Sequence, residues 1–132
     1  MLYLPDTNVF SVYFRRRDDR LVARVTDAFP FLRLSTLVLA ELEYGAAKTG
    51  LARHRVRVDG LLASITVAPF LPEDAACYGR LRAELERRGE MIGPLDALIA
   101  AHALRIGATV VTRNVREFAR VPGLKCEDWQ TA

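Results

Sequence analysis

The chain has 132 residues, of which 51% are hydrophobic and 27% are charged, and its formal net charge is +3. This length suits one ordinary domain with a hydrophobic core, and the composition excludes an intrinsically disordered chain. No apolar run reaches the roughly 18 residues that a membrane-spanning helix needs, and the first apolar stretch is too short for a signal peptide. We therefore expect a cytoplasmic protein with a single domain over residues 1–132.

Strands and helices are predicted to alternate along the chain. Prolines mark several helix starts and glycines several helix ends, as their backbone preferences dictate. Alternation of this kind predicts an α/β fold with a central parallel β-sheet flanked by helices on both faces. The predicted strands are residues 2–5, 31–34, 65–70 and 109–112, with an edge strand within 125–129; the predicted helices are residues 8–16, 18–28, 36–49, 51–62, 72–88 and 94–106.

Four polar side chains follow or flank the carboxyl ends of the predicted strands. Asp6 and Asn114 directly follow strands, and Asp96 lies in the first turn of a helix. Glu41 is about five residues into its helix, roughly 7 Å along the axis, so its side chain still reaches the same edge. Strand carboxyl ends and crossover-helix N-termini meet at one edge of a parallel sheet, where ligands of such sheets bind. Carboxylates gathered in a partly dry crevice repel one another, and a divalent cation relieves that repulsion.

Each of these residues also has a purely structural explanation. Asp6 can cap the first helix, Asp96 can complement a helix dipole, and Asn114 can be an ordinary turn residue. The helix that Asp96 opens is apolar nearly all round, so it should be buried and its carboxylate partly desolvated. The convergence of all four on one edge, rather than any one of them, indicates a functional site.

The choice between Glu41 and Glu43 is left open by periodicity. Both have apolar neighbours three and four residues away, which is unusual for a solvated glutamate. Gly45, one turn beyond Glu41, leaves open space above it and slightly favours Glu41. The histidines, His54 and His102, form no recognisable catalytic constellation, and the glycines match no nucleotide-binding motif.

Arginine supplies almost all of the positive charge, since only Lys48 and Lys125 are lysines among the 19 basic residues. The guanidinium group pairs with phosphate through two parallel hydrogen bonds, which suits nucleic acid, although a high-GC genome would produce the same bias. Basic runs around an acidic cleft would guide a polyanion onto a metal site. The arginines cluster at residues 15–17, at 53, 55 and 57, and at 80, 82, 87 and 88.

Several of these segments together resemble the PIN-domain nucleases, and in order, spacing and length they resemble the VapC toxins of bacterial toxin–antitoxin pairs. The Asp-Thr-Asn sequence at residues 6–8 is similar to the family's opening motif. The second, third and fourth motifs are similar to residues 41–46, 92–103 and 111–118, and residues 123–129 resemble a common C-terminal ending. The resemblance covers essentially the whole chain.

The resemblance implies a Mg²⁺- or Mn²⁺-dependent endoribonuclease, usually a homodimer, that a small VapB-type antitoxin holds inactive. It places metal-binding carboxylates at Asp6 and Asp96, with Glu41 and Asn114 completing the catalytic set. Many relatives cut tRNA, and some attack other structured RNAs. In such a site the metal would activate a water molecule for hydrolysis of the phosphodiester bond.

Two residues depart from the family pattern. Asn114 stands where many relatives have aspartate, so one negative charge is missing, and Pro5 replaces an apolar strand residue. Glu117 follows Asn114 by three residues and would lie on the same side if the segment is helical. The alternative interpretation is therefore a catalytically weak module that binds RNA or a partner on a PIN scaffold, although retention of Asp6, Glu41 and Asp96 favours a nuclease.

Overall fold

The computed structural model describes residues 1–130 and has five short strands packed among seven helices in that part of the chain. A single 3-10 turn, Phe29–Phe31, precedes the second strand. The elements in chain order are β1 (Leu2–Pro5), α1 (Thr7–Arg15), α2 (Asp19–Ala28), β2 (Arg33–Ser35), α3 (Thr36–Thr49), α4 (Ala52–Ser64), β3 (Thr66–Ala68), α5 (Pro72–Arg87), α6 (Pro94–Ile106), β4 (Ala108–Val111), α7 (Val115–Phe118) and β5 (Cys126–Glu127).

All of the strand pairs are parallel. Strands β1, β4 and β5 form one hydrogen-bonded sheet in that order, and β2 pairs with β3 in a second. One parallel bridge, between Tyr3 and Leu32, joins β1 to the segment that leads into β2. The strands therefore run in the order β3-β2-β1-β4-β5, and the direction of winding reverses between β1 and β4. In α/β sheets, the crevice outside the carboxyl ends at such a reversal is where ligands bind.

The hydrophobic core covers both faces of strand β4. All four residues of β4 are buried, as expected for a parallel strand with helices above and below it. Leu4 of β1 and Val110 of β4 are fully inaccessible to solvent. Trp129, beyond the last strand, is also buried and packs edge-on against Tyr3 with ring centroids 5.0 Å apart. Trp129 thus adds to the core from beyond β5.

Local sequence explains where the helices begin and end. The carboxylate of Asp18 accepts a hydrogen bond from the Leu21 amide at the start of α2. Helices α3 and α6 end at Gly50 and Gly107, whose φ angles of 65° and 67° are left-handed and favour glycine. No helix within residues 1–130 combines the length and apolar character needed to cross a membrane.

The predicted elements are present, with shifts at their ends. The second strand begins at Arg33 rather than at residue 31, because Pro30 holds Phe29–Phe31 in a 3-10 turn. The third strand is shorter than predicted and covers only Thr66–Ala68. Helix α7 was considered only as a possible turn of helix after Asn114, and the sheet's division into two hydrogen-bonded parts was not predicted.

Candidate active site

A cleft of about 350 Å³ opens at the carboxyl ends of β1 and β4, where the winding of the sheet reverses. Three of the four predicted site residues, Asp6, Glu41 and Asp96, lie on its wall although they are far apart in sequence. The strand and helix ends therefore converge as the parallel-sheet argument predicts. The cleft is lined by Asp6, Thr7, Asn8, Ser11, Glu41, Leu95, Asp96 and Ile99.

Asp6 is held on both of its carboxylate oxygens. Its Oδ1 accepts a hydrogen bond from the Val9 amide at 3.0 Å, so Asp6 does cap α1. Its Oδ2 accepts one from the Thr112 hydroxyl at 2.7 Å, across the join between β1 and β4. Burial raises the pKa of Asp6 above its ordinary value, and the nearby Glu41 charge adds to the rise, while both hydrogen bonds oppose it. Asp6 is thus a rigid, partly desolvated carboxylate.

Asp96 shares an amide donor with Glu117. The Nδ2 group of Asn114 donates to Asp96 Oδ2 at 3.2 Å and also to Glu117 Oε2. Burial, contact with Glu117 and the charges of Glu117 and Asp6 together raise the pKa of Asp96 to about 6, while the Asn114 hydrogen bond opposes the rise. Asn114 therefore lies between two carboxylates and holds them together through its amide, without adding a charge of its own.

Glu41 and Glu43 face different surroundings. The Thr7 hydroxyl donates to Glu41 Oε1, which connects α3 to the first turn of α1 at the edge of the cleft. Glu43 instead forms a two-pronged ion pair with Arg55 of α4. The hydrogen bonds from Arg55 lower the pKa of Glu43. Glu43 is thus occupied in a surface ion pair, whereas Glu41 reaches the cleft.

The donors of the cleft fit a hard divalent cation. Within residues 1–130, no three Asp, Glu, His or Cys side chains converge closely enough to enclose an ion by themselves. Mg²⁺ commonly binds proteins through only one or two carboxylates and keeps several waters. Asp6 and Asp96 supply two such carboxylates, and both have pKa values raised by burial and by neighbouring negative charge. A cation between them would remove the electrostatic cost that raises both values.

A second groove of about 240 Å³ leads away from Glu41 between α1, α3 and α4. Phe14 and Leu42 supply apolar surface, and Arg15, His54 and Arg57 supply nitrogen donors along it. The Arg57 guanidinium lies 5.5 Å from the centre of the Phe14 ring. The basic runs therefore fall into two groups, and the group that contains Arg15 and Arg57 lies beside the acidic cleft. Arg82 and Arg87 of α5 instead pair with Glu86 and Glu84, and Arg88, just beyond the end of α5, pairs with Glu90.

Three residues of the site were not among the predicted catalytic set. Thr112, which directly follows β4, was predicted as the last strand residue and as part of the fourth motif, and Thr7 only as part of the opening motif. Glu117 was considered as a neighbour of Asn114 but not as a direct partner in its hydrogen-bond network. A threonine placed directly after a buried strand, level with an aspartate in the same position of the next strand, is the signal that would have identified Thr112.

Comparisons with known proteins give one consistent picture. A family model described as PIN domain matches residues 3–124. Ribonuclease VapC2 of Haemophilus influenzae is 35% identical over 128 residues, which is 96% of this chain and 97% of that protein. The tRNA(fMet)-specific endonuclease VapC of Salmonella typhimurium is 35% identical over the same shares, 96% and 97%.

A solved structure supports the same relationship in three dimensions. VapBC2 from Rickettsia felis, crystallised with a DNA fragment from their promoter, contains a chain that superposes on this one with a TM-score of 0.89. The two chains are 33% identical, and the match covers 98% of this chain and 100% of the other. The α/β class with a central parallel sheet, predicted from the sequence, is thereby confirmed.

Proposed function

Because this chain belongs to the PIN-domain family, we propose that it is a metal-dependent endoribonuclease that acts as the toxin of a type II toxin–antitoxin pair. The observation that carries this proposal is the cleft in which Asp6 and Asp96 face each other. Carboxylates gathered against their mutual repulsion serve a nuclease directly, because the cation that they bind takes part in the reaction. The same family membership favours one PIN-like domain over residues 1–132.

Asp6 and Asp96 are the residues that would hold the cation. Mg²⁺ or Mn²⁺ bound there would neutralise charge on the scissile phosphate and lower the pKa of a coordinated water. Oxygen donors without a thiolate or imidazole favour these ions over zinc. Thr112 and Asn114 keep the two carboxylates in place through their hydrogen bonds, so the chain fixes its ligands before the ion arrives.

Glu41 is suited to handle the proton of the hydrolysis. The attacking water forms a bond from its oxygen to phosphorus and gives up one proton, while the bond from phosphorus to the departing ribose oxygen breaks and that oxygen takes up a proton from solvent. Glu41 lies at the exposed margin of the cleft, where its carboxylate can orient that water or accept its proton. The hydroxyl of Thr7 holds one oxygen of Glu41, which leaves the other for the water.

RNA is the polyanion that this surface would accept, and tRNA is the proposed class because the Salmonella typhimurium relative is a tRNA(fMet)-specific endonuclease. Arg15 and Arg57 border the groove that leads to Glu41 and would contact phosphates on either side of the cut. Their position next to the acidic cleft lets them offset its negative charge towards RNA.

The same groove suits a small VapB-type antitoxin. An apolar segment lying against Phe14 and Leu42 would bring a following arginine to the acidic cleft. A guanidinium pairs with carboxylates in two-pronged fashion and would replace the cation. Tyr13 of α1 is not among the groove's lining residues, and the Arg16 guanidinium lies 4.5 Å from the centre of the Tyr13 ring. We also propose that the toxin is a homodimer.

Cleavage of RNA by the purified protein should require Mg²⁺ or Mn²⁺. We expect cleavage of a tRNA pool with either ion, loss of cleavage with excess EDTA, and recovery when the ion is restored. The reason is that the cleft contains no His pair for metal-free chemistry. Ca²⁺, which also neutralises charge but activates water less, serves as the matched control. Cutting that persists in EDTA would overturn the proposal, and RNA binding without cutting would favour the catalytically weak module.

Replacing Asn114 with aspartate should change the cation site in a predictable direction. Asn114→Asp removes two hydrogen-bond donations and adds a charge beside Asp96 and Glu117. We expect a lower melting temperature without cation and affinity for Mn²⁺ greater on the order of tenfold, because added ligand charge strengthens binding. Thermal melts and calorimetric titration measure the two effects. Glu117→Gln is the matched variant, and it should raise the melting temperature without cation.

A further inference from the structure

A buried histidine connects the two helices that carry Glu41 and Asp96. His102 lies on α6, the helix that Asp96 opens, and its side chain is completely inaccessible to solvent. Its Nδ1 atom is 2.9 Å from the Oγ of Ser35, which is equally buried at the end of β2. Burial lowers the pKa of His102, so the ring is neutral under ordinary conditions.

Ser35 is also the residue that begins α3. Its Oγ accepts a hydrogen bond from the Leu37 amide at 3.2 Å, so this hydroxyl caps the helix on which Glu41 lies. The hydroxyl has one proton, which it can donate to Nδ1 of His102 while it accepts from Leu37. The Ser35 hydroxyl then donates once and accepts once, and Nδ1 of His102 accepts once, so these three hydrogen-bonding functions are satisfied in the buried pair.

The loop after β3 fixes the same corner of the molecule. The Phe70 amide donates to the Thr36 hydroxyl at 3.0 Å in the first turn of α3. The ring of Phe70 also packs edge-on against the His102 ring, with centroids 5.7 Å apart. Nε2 of His102 has no partner of good geometry within residues 1–130, although the Pro69 carbonyl favours its protonation. The Ser35 contact is therefore the principal hydrogen bond of this ring.

The charged groups nearest the ring are already neutralised by each other. Asp74 of α5 is fully buried and accepts from Arg105, one turn beyond His102 on α6. Asp74 raises the pKa of His102 and Arg105 lowers it, so their charges oppose. The charges of this ion pair oppose each other at the ring, whose specific interactions are then the Ser35 hydrogen bond and the packing of Phe70.

We propose that His102 is a positioning residue for the nuclease, acting through Ser35 to set Glu41 relative to Asp96. This inference rests on the proposed function, since the distance between the two acids matters only to catalysis. His102 touches neither RNA nor cation, so its effect passes entirely through the start of α3. The ring is rigid and buried, which makes it a suitable spacer between the helices.

Two substitutions of His102 distinguish the contribution of its hydrogen bond to Ser35 from the contribution of its packing. His102→Phe keeps an aromatic ring but removes the acceptor for Ser35. His102→Asn removes ring volume but keeps an acceptor oxygen at the position of Nδ1. We expect His102→Phe to lower kcat about tenfold with little change in KM, because small misplacements of catalytic groups cost that much or more. His102→Asn should melt at a lower temperature than His102→Phe and yet retain the higher kcat.

A double-mutant cycle with Glu41→Gln tests whether His102 affects kcat through the position of Glu41. If His102 acts by placing Glu41, His102→Phe should cost nothing further in kcat once Glu41 is glutamine. Val25→Ala on α2, buried but remote from the cleft, controls for general destabilisation and should leave kcat unchanged in both backgrounds. Losses that multiply, or a His102→Asn variant as slow as His102→Phe, would overturn the inference.

Failure of this inference is distinguishable from failure of the proposed function. If the wild-type protein does not cut RNA with Mg²⁺ or Mn²⁺, the nuclease proposal itself is wrong. If the wild-type protein cuts RNA but the kcat losses of His102→Phe and Glu41→Gln multiply in the double variant, only the role of His102 is wrong. Should His102→Phe not fold, Ser35→Ala removes the same hydrogen bond with a smaller change in volume, and the same lack of further cost in the Glu41→Gln background is expected.

Discussion

Replacing Asp96 with asparagine should abolish metal-dependent RNA cleavage while leaving the fold intact. Asp96 is one of only two carboxylates proposed to hold the cation, and an amide is a much weaker ligand for Mg²⁺. We expect a loss in kcat on the order of a hundredfold or more, comparable to removing a principal electrostatic stabiliser elsewhere. The measurement is cleavage of a labelled tRNA at saturating Mg²⁺, with toxicity on expression in cells as a second readout.

Two variants make this result specific to the cleft. Asp27→Asn on α2 removes an exposed aspartate far from the site and should leave cleavage unchanged. Glu117→Gln should retain most of the activity, since Glu117 interacts with Asp96 and Asn114 and is not proposed as a ligand. If Glu117→Gln is as inactive as Asp96→Asn, Glu117 is itself a ligand and the assignment of the site changes.

In the absence of a cation, Asp96→Asn should stabilise the folded protein even though it abolishes cleavage. The pKa of Asp96 is raised to about 6 in the folded protein, above its ordinary value near 4. The folded state therefore holds a proton that the unfolded state releases, so ionising Asp96 costs stability as pH rises from about 4 to 6. Asp96→Asn removes this cost. We expect its melting temperature to exceed that of the wild type at pH 7 and to approach it near pH 4.

The second large effect concerns the end of the chain. Trp129→Ala should lower the free energy of unfolding by about 3–5 kcal/mol, the usual cost of truncating a buried aromatic side chain to alanine. The Trp129 ring is 1% exposed, packs against Tyr3, and has the Arg24 guanidinium 4.9 Å from its centre. Its Nε1 donates to Glu127, which also pairs with Arg24. One residue thus connects β1, α2 and β5.

Urea unfolding followed by circular dichroism measures this loss. Trp129→Phe should cost less because it keeps most of the packing and loses the hydrogen bond to Glu127. Tyr44→Ala, at a position where the side chain is 66% exposed, is the surface control and should change stability little. A change below about 1 kcal/mol in Trp129→Ala would mean that the C-terminal segment does not belong to the cooperative core.

The location of the site at the carboxyl edge of the sheet was predictable, because parallel strands and their crossover helices bring strand ends and helix starts to that edge. Asp6, Glu41 and Asp96 each carry a local signal, and the alternation of strands and helices brings those signals to one place. The choice of Glu41 over Glu43 was not predictable in the same way. Both glutamates have apolar neighbours in sequence, and it is Arg55 on another helix that engages Glu43.

The remaining features depend on contacts between distant segments. Thr112 is separated from Asp6 by most of the chain, and only the pairing of β1 with β4 brings its hydroxyl to that carboxylate. The amide of Asn114 donates to Asp96 and Glu117, and Asp96 belongs to a different helix, α6. His102 illustrates the same limit, because its partner Ser35 is 67 residues away.

The order of the strands also determines when, during its own synthesis, the protein can first become toxic. Asp6 leaves the ribosome early, but β4, its neighbour in the sheet, begins only at Ala108 and is followed by Thr112. Contacts between residues so far apart form only once both segments are available. A partly translated chain therefore has Asp6 but lacks the strand whose pairing with β1 brings the Thr112 hydroxyl to that carboxylate. The cleft is thus complete only after nearly the whole chain has been translated.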